Sequence, residues 1–131
     1  ARRNSAGYWL LCSQSSQYPA ELRLAVQLII QSNGNISIKE ITEKTFYSER
    51  HLNRLSNHYL GFNLKHFSRI VRINKAIYLL HHTSHILDYI SAESAFYDIS
   101  HFIRDFRAVC GVTPQEYRNN LSDFYSAIAK F

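Results

Sequence analysis

The sequence predicts an all-α fold, and three observations carry that prediction. Glycine and proline are scarce, four and two in 131 residues, too few turn formers for a many-stranded fold. Apolar residues recur three and four apart over long stretches, which is the helical period. Helix start signals punctuate the chain, among them Ser37-Ile38-Lys39-Glu40 and Thr113-Pro114-Gln115-Glu116, both capping boxes.

Taken in order, Pro19 and Gly34 bracket a first helix with Leu22, Val26, Ile29 and Ile30 on one face. The box at Ser37 opens a short second helix that turns Ile38 and Ile41 inward. Ser48 caps a third, SERHLNRLSNHYLG, ending at Gly61. The fourth covers 63–82, NLKHFSRIVRINKAIYLLHH, and is apolar on more than one stripe. Such a helix is buried between two packing partners, and at 1.5 Å per residue it would span about 30 Å. Ile86, Leu87 and Ile90 mark a fifth helix. Asp98 caps a sixth, DISHFIRDFRAVCG, with Phe102, Phe106 and Val109 as its core face. The box at Thr113 opens a seventh. LSDFYSAIAKF then closes the chain, with Leu121, Phe124, Tyr125 and Ile128 on one side.

One short device occurs twice. Residues 43–54 read EKTFYSERHLNR, and residues 93–104, 50 positions later, read ESAFYDISHFIR. Each copy is the end of one helix, a short turn and the start of the next, which is helix-turn-helix geometry. The predicted organisation is therefore a linker or remnant of an upstream region (1–17), a first helix-turn-helix subdomain (18–62), a linker helix (63–82), a second subdomain (83–120) and a C-terminal helical tail (121–131). Without Met and beginning at Ala1, the chain reads as a fragment of a longer protein.

Charge sharpens the functional reading. The chain carries net +5, with a pI of about 9.4. Residues 48–82 hold six basic groups (Arg50, Arg54, Lys65, Arg69, Arg72, Lys75) against Glu49 alone, whereas 83–118 are net −2. A basic stretch on a helix-turn-helix points to double-stranded DNA. In such a unit the second helix enters the major groove. Counting from the cap, Leu52 and Phe102 face the core, and Arg50, Asn53 and Arg54, or Ser100, Ile103 and Arg104, face outward. Arg is the common reader of guanine and Asn of adenine, while Ile can touch only a thymine methyl. The expected base readers are thus Arg50, Asn53, Arg54, Ile99, Ser100, Ile103 and Arg104. Expected phosphate contacts are the helix starts at Ser37, Ser48 and Thr113, with Lys39 and Lys44 on the supporting helix. Glu49, His51 and His101 flank the recognition helices; for the two His, packing or capping and DNA contact are both open. Arg104 has Asp105 beside it as a competing ion-pair partner. Arg72, amid apolar neighbours, is expected to be structural, paired with an acid. The duplicated Phe-Tyr pairs are expected to pack.

Several classes are excluded. No apolar run reaches membrane-spanning length. Neither a nucleophile-base arrangement nor a phosphate-cradling Gly loop is present, so no enzyme is expected. Cys12 and Cys110 are isolated, as for reduced thiols in a cytoplasmic protein. Two of His81, His82 and His85 stand four apart, but the helix should end near Thr83 and no Cys or acid completes a set, so no metal and no cofactor are expected.

From Ile38 to Arg118 the chain resembles the C-terminal DNA-binding domain of the AraC/XylS family of bacterial transcription regulators. The resemblance rests on ITEKTFYSERHLNRL, RIVRINKAIYLL and ISAESAFYDISHFIRDFRAVCGVTPQEYR. It implies two helix-turn-helix units joined by a linker helix, an upstream sensing or dimerisation domain, and contact with RNA polymerase at a promoter. The chain departs from the family at four places. Phe46 and Ala95 stand where Gly is usual in each turn, Ser56 where an aromatic is usual, and Ile99 where a polar reader is usual. At Ser56 the core of the first unit is expected either to be thinner or to be filled by Tyr59. Set against the DNA-binding reading is a degenerate helix-turn-helix pair that docks on a protein, with Ile99 and Ile103 as its exposed apolar patch.

Overall fold

In the computed structural model, residues 17–129 are described, with side chains through 121. Cys12, the upstream linker through residue 16, and Phe124, Tyr125 and Ile128 therefore lie outside the described side chains. The described residues form seven helices and no strand: α1 (Ala20–Gln31), α2 (Ile38–Thr45), α3 (Glu49–Leu60), α4 (Leu64–His82), α5 (Leu87–Glu93), α6 (Ile99–Cys110) and α7 (Pro114–Ala129). The expected C-terminal tail is a continuation of α7, one unbroken helix from Pro114. Two compact units divide inside α4, one running through Asn74 and the other starting at Lys75. The linker helix thus contributes residues to each unit.

Local chemistry sets the helix ends. Ser37 Oγ accepts the Glu40 N–H at 3.1 Å, and Glu40 Oε1 accepts the Ser37 N–H at 3.2 Å. Ser48 Oγ accepts the His51 N–H, and Asp98 Oδ1 accepts the His101 N–H at 2.7 Å. Gly61 and Gly111 close α3 and α6 in the left-handed conformation, where a side chain costs energy.

In the first unit, Leu22, Ala25, Val26 and Ile29 of α1 pack with Ile41, Leu52, Leu64, Phe67 and Val71. Ser56, where an aromatic was missed, is fully buried, and its Oγ donates to the Phe62 carbonyl at 2.5 Å. Phe62 lies parallel to Phe67, with centroids 6.2 Å apart. Phe62 packs against the core, whereas Tyr59 stays exposed against Tyr18 and His58. Arg72 makes a structural contact: its Nη1 donates to the Gly34 carbonyl at 2.9 Å.

In the second unit, Phe96, Phe102, Phe106 and Tyr117 form a chain of ring contacts 5.1–5.7 Å apart. Val109 is exposed, contrary to expectation, while Asp105 is buried on that helix. Arg118 donates to the His85 and Thr83 carbonyls, and His81 Nε2 meets Tyr117 Oη at 2.9 Å. These bonds strap the start of α7 to the segment that links α4 and α5. Ile86 lies outside α5 as its exposed N-cap.

The two turns differ although their sequences align. In the first, Phe46 takes φ 63°, and its N–H donates to Thr42. In the second, Ala95 takes φ 65°, its N–H donates to Ala92, and the Phe96 N–H donates to Ser91. The latter is a Schellman ending, in which the residue after the left-handed position folds back onto the helix. Phe96 is consequently 6% exposed and Phe46 91%. Packing, expected of both Phe-Tyr pairs, holds for Phe96; Phe46 and Tyr97 project into solvent.

Candidate nucleic-acid interface

The first recognition helix, α3, turns Leu52 fully into the core and leaves Glu49, Arg50 and Arg54 exposed. Ser48, Arg50, His51 and Arg54 line an open depression of about 410 Å³ at its N-terminal end. Two guanidiniums there face outward beside a helix N-terminus, a combination that favours an anionic ligand.

His51 organises this end. Its Nδ1 lies 2.9 Å from Arg54 Nη2 and its Nε2 lies 3.3 Å from Glu21 Oε2 on α1. The Tyr47 ring stacks on it with centroids 5.3 Å apart. A bond from its own backbone amide, and then the His51 side chain, hold the Glu21 carboxyl below its usual range. Glu21 gave no sign of this in the sequence, because its partner lies 30 residues away.

Asn53 has a structural task as well. It is half-buried, and its Oδ1 accepts the backbone N–H of Leu64 at 3.0 Å. The two-point adenine contact expected of it needs that same oxygen.

Among the expected phosphate contacts, Lys39, Lys44 and Ser48 are exposed. At Ser37 and Thr113 the capping-box carboxylates occupy the cap N–H; Thr113 donates to Glu116 Oε1 at 2.9 Å. The Thr113 backbone N–H and then its side chain hold the Glu116 carboxyl below its usual range. An anionic carboxylate at a cap disfavours a phosphate at the same point.

In the second unit Ser100 and Arg104 are exposed on α6, and Ile99 and Ile103 are half-buried. The two Ile do not form the fully exposed apolar patch that a protein-docking module would need. Asp105 pairs with His101 Nε2 at 3.0 Å, and its neighbour Arg104 stays exposed. Arg107, three residues further on, is also exposed, a cation the sequence reading passed over. Among the described residues no group of three or more His, Cys, Asp or Glu could hold a metal, and no helix is long and apolar enough to cross a membrane. Burial raises the Cys110 thiol pKa, which makes it less reactive.

A family model described as a helix-turn-helix domain matches residues 41–120. An uncharacterised HTH-type transcriptional regulator of Staphylococcus aureus is 29% identical over 86 residues, which is 66% of this chain and 12% of that protein. The chain therefore spans about an eighth of that relative's length. The C-terminal domain of the response regulator AraT from Geobacillus stearothermophilus superposes with a TM-score of 0.74 at 25% identity, over 80% of this chain and 88% of that one. An AraC-type regulator structure from Chromobacterium violaceum gives 0.68 at 30% identity, over 76% and 90%. The DNA-binding domain of the transcriptional factor AdpA, solved with a target DNA, shares the fold at 0.70 and 18% identity, over 76% and 91%. The chain belongs to the AraC/XylS family of helix-turn-helix transcription regulators, whose DNA-binding domain it contains.

Proposed function

We propose that this domain reads a promoter sequence by placing α3 and α6 in successive major grooves of one duplex. The observation that carries the reading is the outward pair Arg50 and Arg54 around one depression at the N-terminal end of α3, within the most basic stretch of the chain. Arg54 and Arg50 are the chief base readers, and Asn53 braces the helix that carries them. In the second unit Arg104 reads, with Ser100 beside it and Ile99 and Ile103 limited to apolar contact. Ser48, Lys39 and Lys44 hold phosphates. The AdpA domain's complex with target DNA supports duplex DNA as the ligand. Contact with RNA polymerase and an upstream sensing or dimerisation region belong to the same proposal, as the family implies.

The test is selection of duplexes from a random pool by the 131-residue chain, with the winners' affinity followed against salt. A two-part motif with centres about one helical turn apart is expected, with a salt slope near −0.9 per phosphate neutralised. A single short motif would restrict reading to the first unit, and no enrichment at all would overturn sequence recognition.

A further inference from the structure

We propose that His51 is a positioning residue for Arg54: a neutral imidazole, held in one tautomer by Glu21, aims the guanidinium for base contact. The proposal rests on the reading of Arg54 as a base reader and deepens it.

The tautomer follows from the partners. A guanidinium has donors only, and an ionised carboxylate has acceptors only. At 2.9 Å from Arg54 Nη2, His51 Nδ1 must therefore accept; at 3.3 Å from Glu21 Oε2, Nε2 must donate. Both ring nitrogens are thereby committed to the neutral form. The ring is further fixed by the stacked Tyr47 and by the backbone bond from His51 N–H to Ser48 Oγ. Glu21 belongs to α1, so the arginine is referenced to the scaffold and not only to its own mobile stem. An arginine already held in one rotamer loses less freedom on binding. The repeat-equivalent His101 is tied differently: its Nε2 pairs with Asp105, four residues along the same helix. The scaffold-anchored arrangement thus belongs to the first unit.

The experiment measures affinity for the selected duplex and for a duplex changed at the base Arg54 reads. Their ratio cancels changes in general DNA affinity. His51→Leu, checked for folding by its melting curve, should lower the ratio roughly tenfold or more, the scale of one arginine–base pair. His51→Gln, which keeps an acceptor and a donor, should restore much of the ratio. An undiminished ratio in folded His51→Leu overturns the proposal. Arg54→Ala separates the two readings. If that variant keeps the ratio, Arg54 is no reader; if it abolishes the ratio while the His51 variants are unaffected, only the positioning role is lost.

Discussion

Asn53 on α3 accepts the backbone N–H of Leu64, the first residue of α4, at 3.0 Å. A side chain on the recognition helix thereby caps the helix that follows it. Asn53→Ala leaves the Leu64 N–H, on a fully buried residue, without its acceptor. The expected loss is about 1–2 kcal/mol, read as a lower denaturation midpoint without DNA. An unchanged midpoint would return Asn53 to the base readers.

Arg54→Ala should weaken binding to the selected duplex by about 1–3 kcal/mol and relax preference at one base position. Quantitative binding to a set of single-base variants reads this directly. Equal weakening on every duplex would make Arg54 a phosphate contact instead.

Phe46 holds φ 63° with its side chain almost wholly in solvent. Its packing is therefore worth little, and its left-handed backbone costs energy that Gly would not incur. Phe46→Gly should raise stability by about 1 kcal/mol, visible as a higher melting temperature. A fall would reveal contacts that compensate for the backbone.

The opposite change should fail at Gly34, where φ is 79°. A Cβ there would lie 2.6 Å from the Ser68 carbonyl oxygen and 2.7 Å from Arg72 Cγ. Gly34→Ala should cost about 2–4 kcal/mol, combining left-handed backbone strain with overpacking. Chemical denaturation measures it, and a loss well under that range would mean that α4 yields easily.

Glu116 has a carboxyl pKa depressed mainly by the Thr113 backbone N–H and then by its side chain. A carboxyl lowered in the folded state stabilises above its unfolded pKa, and that contribution disappears as pH falls through the folded value. Glu116→Gln should therefore flatten part of the acid limb of the melting-temperature profile. An unchanged acid limb would show that the capping box contributes nothing measurable.

Much of the fold is legible in the sequence because helix ends are decided locally. The Ser37–Glu40 and Thr113–Glu116 boxes, the caps at Ser48 and Asp98, and the stops at Gly61 and Gly111 act within a few residues, so pattern alone finds them. The apolar period likewise places Leu52, Phe102 and Phe106 in the core. The same reasoning placed Val109 inside and paired Asp105 with Arg104 instead of burying it, because periodicity does not register that a buried carboxylate can be matched by a histidine one turn away.

Neighbouring residues in the chain suffice to specify the seven helices of the described residues, both turn-helix copies and the basic stretch of the first. What the side chains of those copies do is set by packing. Phe46 and Phe96 align in the repeat, yet one projects and the other is buried, because one helix ends in a simple left-handed cap and the other in a Schellman fold-back. Asn53 turns toward Leu64 and His51 toward Glu21, across 11 and 30 residues of chain. Those partners come within reach only when the helices pack, and no local spacing encodes a contact that packing alone creates.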